Sequence, residues 1–196
     1  MESVLLTETE GQALVQFARE TIHAALTPDT ISTPVAPISS PRLEAPGASF
    51  VTLHTREGAL RGCIGSLTAR RPLIEDVQAN ALAAAFEDPR FPPLKPAELP
   101  DIVVEVSVLT PAQPLDYETP AELIEKLRPN VDGVLLQRGW HRATFLPQVW
   151  EQLSRPEDFL SHLCYKAGLS GLAWKEGDLE VSTYQVQKFE EARHPS

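Results

Sequence analysis

The chain has 196 residues, with 27 Asp and Glu against 17 Lys and Arg, a formal net charge of −10. That balance argues against nucleic-acid binding, because phosphate contacts draw on a basic footprint. The 42% apolar and 22% charged residues fit one domain able to bury a sizeable core, and no apolar run approaches the ~20 residues that span a bilayer.

The first eight residues, Met1 to Glu8, lack the basic region and apolar stretch of a signal peptide, so a cytoplasmic location is expected. The first predicted helix spans Thr7 to Leu26. Thr7 and Glu10 have capping-box spacing, and Leu14, Phe17, Ala18, Ala25 and Leu26 fall on one broad face. Residues 27–47 hold Pro28, Pro34, Pro37, Pro41 and Pro46, a pattern that disfavours helix and central strand alike and predicts an extended surface segment.

Residues 48–67 read as a β-hairpin around Arg56-Glu57-Gly58. A two-residue Glu57-Gly58 loop would set His54 opposite Arg61, on the face of Cys63. Glutamate at positive φ is unfavourable, whereas Arg56-Glu57 in a type I turn with Gly58 left-handed is comfortable. That turn pairs Leu53 with Arg61 and Val51 with Cys63, and sends His54 to the other face. His54 is therefore set aside as a base for Cys63. Arg61 and Cys63 share a face in either register, provided that no bulge intervenes.

A helix follows from Pro72 to about Phe86, opened by a proline and by Glu75 and Asp76. Residues 87–100, with five prolines, predict a stiff irregular loop. Residues 102–109 form a clear strand in which Glu105 must face water, find a cation or have its pKa raised. A short helix capped by Thr119 runs to about Leu127, and a second hairpin flanks Arg138-Gly139-Trp140. Helical segments at 147–153 and 157–167, the latter closed by Gly168, precede a single strand at 179–188. The fold class is α+β, a mainly antiparallel sheet flanked by helices.

Leu60-Arg61-Gly62-Cys63-Ile64-Gly65 carries the strongest chemical signal. Gly62 and Gly65 strip side-chain cover from Cys63, and a nearby guanidinium such as Arg61 favours the reactive thiolate. Cysteine is equally a small apolar residue suited to packing beneath a helix, and both readings are open. Glu105 is a candidate base or a partner for Arg61 or Arg90. Arg90 is suited to gripping an anion or to tying its own loop. Cys164 lies on an apolar helix face and reads as core, and His141 as a solvated hairpin residue. No Walker, zincin, dinucleotide or serine-nucleophile motif is complete, and neither metal nor cofactor is implied. With no CxxC and a reducing compartment expected, Cys63 and Cys164 read as free thiols.

Phe50-Val51-Thr52-Leu53, the 60–65 segment, Asp88-Pro89-Arg90-Phe91 and Val104-Glu105-Val106-Ser107-Val108-Leu109 together resemble the signature of the AMMECR1 domain family. The likeness continues through Asp132–Leu136, Phe145–Trp150 and Phe159–Gly168, in the family's order. The resemblance implies one AMMECR1-like domain over 1–196, built as a larger and a smaller subdomain with a cleft near Cys63. It also implies association with Memo-like and radical-SAM proteins, as component A of the AmmeMemoRadiSam system. Arg61, Cys63, Arg90 and Glu105 carry over as signature positions without a settled reaction.

The expected site therefore has Cys63 and Glu105 as catalytic candidates and Arg61, Gly62, Gly65 and Arg90 as binding candidates. The leading expectation is a non-autonomous component handling a small-molecule or peptide ligand. The alternatives are a stand-alone cysteine-dependent enzyme and a purely protein-binding adaptor. Neither nucleic acid nor membrane is expected as a partner.

Overall fold

The computed structural model describes residues 5–27 and 39–192. The chain divides into two compact units, residues 1–109 with 187–196, and residues 110–186. Residues 28–38 of the extended segment expected over 27–47 lie outside the described residues.

The first unit opens with α1 (Glu8–Leu26), capped as its sequence requires. The Thr7 hydroxyl accepts from the Glu10 N–H, and the Glu10 carboxylate accepts from the Thr7 N–H. Glu10 also accepts from Ser40 and Arg42, which tethers α2 (Pro41–Glu44) to the start of α1. These donors, the Ser40 hydroxyl foremost, hold the Glu10 carboxyl down at about 2. Residues 41–44 thus correct the expectation of no helix: Pro41 sits at the first helical position, where its missing N–H costs nothing. Ala25, expected on the buried face of α1, is exposed, and Ile22 is buried instead.

β1 (Pro46–Thr55) and β2 (Leu60–Gly65) form the predicted hairpin, and Gly58 takes φ +87. β3 (Arg71–Pro72) pairs with the start of β1 and leads into α3 (Leu73–Phe86). Near its N-terminus α3 is anchored by Asp76, a buried carboxylate that accepts from Ser49, Ser66, Arg71 and Asn80. Residues 87–101 form the expected proline-rich loop, ending in a 3-10 turn, Pro96–Asp101. β4 (Ile102–Leu109) then pairs antiparallel with residues 48–55 of β1.

The second unit contains β5 (Gln113–Pro114), α4 (Pro120–Lys126), β6 (Gly133–Arg138), β7 (His141–Phe145), α5 (Pro156–Lys166) and β8 (Glu180–Tyr184). Its four-stranded sheet has the order β5-β8-β6-β7. Its core is built on Trp150, Phe159, Leu160, Leu163 and Cys164. The Trp150 ring stacks on Phe159 at 3.7 Å, and its N–H donates to the Asp132 carbonyl.

β9 (Val186–Glu190) returns to the first sheet, whose order is β2-β1-β4-β9 with β3 alongside β1. The single strand expected over 179–188 is therefore two strands in two sheets. The break falls at Gln185, whose N–H donates to the Thr110 hydroxyl.

In the first unit α1 and α3 cover one face of the sheet, burying Val51, Leu53, Val104 and Val106 against Leu14, Ile22, Val77 and Ala81. The candidate site occupies the other face.

Candidate functional site

The hairpin turn forms as predicted, with the Gly58 N–H donating to the Thr55 carbonyl at 2.9 Å. Close to the turn His54 pairs with Leu60, which is the predicted register. One residue later the pairing slips: Leu53 faces Gly62, which leaves Arg61 as the extra residue of a bulge. Beyond the bulge Thr52 faces Cys63 and Val51 faces Ile64. The expected pairs Leu53–Arg61 and Val51–Cys63 are corrected accordingly. His54 returns to the face shared by Thr52 and Cys63, so the reason for setting it aside is gone.

Gly62 shows which way the strand faces. A Cβ there would stand 2.2 Å from the Ala84 carbonyl oxygen, so the α3 backbone lies directly on Gly62. Strand alternation turns Cys63 away from that helix. Cys63 is partly exposed and free, and its sulfur accepts from the Thr52 hydroxyl at 3.3 Å. Gly65 opens no pocket, because the Phe50 ring covers it. The glycines flanking Cys63 thus admit a helix on one face and an aromatic ring on the other.

The main chain of Cys63 is held by a loop in place of a further strand. Its N–H donates to Asp88 Oδ2 at 2.9 Å, and its carbonyl accepts from Arg90 at 3.2 Å. The Asp88 carboxylate, whose side chain is 2% exposed, also accepts from the Arg90 N–H, Nε and Nη2. The Arg90 guanidinium, helped by the Cys63 and Arg90 N–H groups, holds the Asp88 carboxyl well below the usual carboxylate range. A carboxylate and a guanidinium thus satisfy the outward backbone groups of Cys63 on an edge strand. Asp88 was not singled out from the sequence, although it lies in the same short segment as Arg90.

Arg61 stands elsewhere. It forks onto Glu98, with Nε at 2.8 Å from Oε1, and donates to the Pro92 carbonyl. That pairing lowers the Glu98 pKa. Arg61 braces the 87–101 loop against β2, and Phe91 lies near both arginines, 5.9 Å from the Arg61 Cζ and 5.5 Å from the Arg90 Cζ. The bulge removes the condition on which Arg61 and Cys63 were to share a face.

Glu105 faces Thr52 from β4, so Cys63, Thr52 and Glu105 form one cross-strand row. Its cations are neither Arg61 nor Arg90. Glu105 Oε1 lies 3.8 Å from Lys188 Nζ and accepts from Ser107, while Oε2 lies 3.9 Å from His54 Nε2. Thr52 and Lys188 were missed as site residues, and His54 was set aside, because only the bulged register and the return of β9 bring them together. Cys164 is fully buried in the second unit, and burial pushes its thiol pKa up, as a core cysteine requires. His141 meets the Ala167 carbonyl through Nδ1 at 2.9 Å.

Among the described residues no group of three His, Cys, Asp or Glu side chains is placed to hold a metal ion. No helix there is long and apolar enough to cross a membrane.

A family model described as AMMECR1 matches residues 15–189. A protein of Thermofilum pendens is 40% identical over 200 residues, covering 95% of this chain and 92% of its own length. A protein of Methanothermobacter thermautotrophicus is 40% identical over 206 residues, covering 97% of this chain and 99% of its own. The crystal structure of an uncharacterised protein from Pyrococcus horikoshii is similar at a TM-score of 0.76 and 36% identity, covering 97% of this chain and 96% of that one.

Proposed function

The chain belongs to the AMMECR1 family, and we propose that it works as a non-autonomous component alongside Memo-like and radical-SAM proteins, with Cys63 as its reacting thiol. The observation that carries this reading is the setting of Cys63. Its sulfur lies partly exposed on the helix-free face of the sheet, oriented by Thr52, with its main chain clamped by Asp88 and Arg90. A nucleophile on a strand held at both backbone groups is pre-organised in a way that a loop cysteine is not. The thiolate forms a bond to an electrophilic carbon of a small or peptide-borne substrate. The leaving group departs from that carbon with its bonding pair and takes up the thiol proton.

Co-expression with a Memo-like and a radical-SAM protein from one source organism tests this. The expected result is a retained complex and a mass adduct on the peptide containing Cys63, absent in Cys63→Ser. No complex and no adduct would overturn it.

A second reading, a protein-binding adaptor, is favoured by Trp140, which is 102% exposed at the tip of the β6–β7 hairpin. An aromatic side chain held out in this way is a typical interface anchor. Under that reading Trp140→Ala abolishes the complex while Cys63→Ser leaves it intact.

A further inference from the structure

The arginines between residues 61 and 90 divide into two pairs. Arg61 is committed to Glu98 and Arg90 to Asp88. Arg70 and Arg71 instead line an open cavity of about 510 Å³ in the first unit, with Ser66, Leu67, Thr68 and Asp76 as its other walls. That volume falls within the ~300–1,000 Å³ of small-molecule sites. Cys63 is not part of the lining, so the cavity stands apart from the reading above.

The walls are held from beneath. The Ser66 N–H donates to the Ser49 carbonyl, and Arg71 pairs with Gly47, so both ends of the 66–71 segment are fixed to β1. The buried carboxylate of Asp76 ties the same two residues through their side chains. Its Oδ1 accepts from the Ser66 hydroxyl and from Arg71 Nε, each at 2.9 Å. Its Oδ2 accepts from the Ser49 N–H and hydroxyl and from Asn80. A carboxylate offers about four acceptor sites, so Asp76 is saturated by this chain and has nothing left for a cation.

The donors on the wall are in the opposite condition. Arg71 spends only Nε on Asp76 and keeps 42% of its side chain exposed, which leaves both terminal amino groups without a partner among the described residues. Arg70 is exposed, and neither it nor the Thr68 hydroxyl makes a hydrogen bond or ion pair among the described residues. Two guanidiniums against one saturated carboxylate give the cavity a positive wall, on a chain of net charge −10. The field of an acidic protein repels anions, so an anion held here is held by these local donors.

We propose that this cavity binds a phosphate group, free or borne by a small molecule, with Arg70 and the terminal nitrogens of Arg71 as charged donors and Thr68 as a hydroxyl donor. One guanidinium fork satisfies a carboxylate, whereas two forks and a hydroxyl suit the additional acceptor oxygens of phosphate.

The test is a nuclear magnetic resonance titration of the isotope-labelled full chain with inorganic phosphate and, separately, with glycerol phosphate, at constant ionic strength set by sodium chloride. Saturable shifts centred on residues 66–71 are expected with at least one probe. Arg70→Ala is the decisive variant, because Arg70 holds no other residue in place. It is expected to weaken binding about tenfold and to leave the rest of the spectrum unchanged, while Arg70→Lys weakens it less. Tighter binding of glycerol phosphate than of inorganic phosphate assigns the cavity to a carried phosphate, and the reverse order assigns it to the free ion. No saturable shift at residues 66–71 with either probe, or an affinity unchanged in Arg70→Ala, would overturn the site.

Discussion

Thr52 stands directly across from Cys63, and its hydroxyl donates to the cysteine sulfur at 3.3 Å. That hydrogen bond fixes the direction in which the sulfur points from the strand. Thr52→Val keeps the shape and the β-branch and removes only that hydroxyl. The expected outcome is an unchanged fold, by circular dichroism, with Cys63 alkylation at neutral pH slowed about three- to tenfold, the rate equivalent of one lost hydrogen bond.

The Asp88 carboxylate serves as the outer neighbour of β2 through the Cys63 N–H. Asp88→Ala leaves that N–H without an acceptor and frees Arg90, which is already half exposed and can hydrate. The expected cost is about 1–3 kcal/mol in urea unfolding. The local signature is faster hydrogen exchange at Cys63 than at Val51, which lies inside the sheet.

Gly62 is where α3 touches the sheet. A methyl group placed 2.2 Å from the Ala84 carbonyl oxygen meets backbone that has no rotamer to change. Gly62→Ala should therefore destabilise the protein by about 1–3 kcal/mol, at the upper end of that range because helix or strand must move. A thermal midpoint equal to wild type would contradict the close approach.

Acid should weaken the first unit through Glu10 and Asp88. Both carboxyls are held below their ordinary values, Glu10 from 4.5 to about 2 by the Ser40 hydroxyl first and Asp88 by Arg90. A group whose folded-state pKa is lowered contributes stability that is fully present above the unfolded value and is lost as pH falls through the folded value. Urea midpoints should therefore hold down to about pH 4.5 and fall progressively towards about pH 2. Ser40→Ala should lower the midpoint at neutral pH and make this acid-dependent loss smaller.

Much of the fold was legible because its signals are local. The Thr7–Glu10 capping box marks the start of α1, Pro72 with Glu75 and Asp76 marks α3, and the β4 boundaries are those predicted. The hairpin turn was also read correctly from the poor fit of glutamate to positive φ and the ease of Gly58 there. Its consequence was not, because Arg61 bulges out one step later and shifts every pair beyond it. That bulge is set by long-range partners: Glu98 draws the guanidinium outward, and α3 pins Gly62. The division of 179–188 between two sheets was hidden for a similar reason. The apolar pattern runs on through the segment, and only the pairing of Gln185 with Thr110 breaks it. In the candidate site, Cys63 and Glu105 stood out by residue type, whereas Thr52 and Lys188 became visible only through register and the bulge returned His54 to the face from which the predicted register had removed it.

Labelling of the folded chain distinguishes an accessible, reacting Cys63 from a packing residue. Cys164 provides an internal reference, being fully buried with its thiol pKa raised by burial. The most direct measurement is peptide-resolved iodoacetamide labelling of the folded chain at neutral pH, following both cysteines in one sample. Cys63 is expected to label completely, faster than free cysteine, while Cys164 stays unmodified until the protein unfolds. Labelling of Cys63 that waits for unfolding, in step with Cys164, would contradict it.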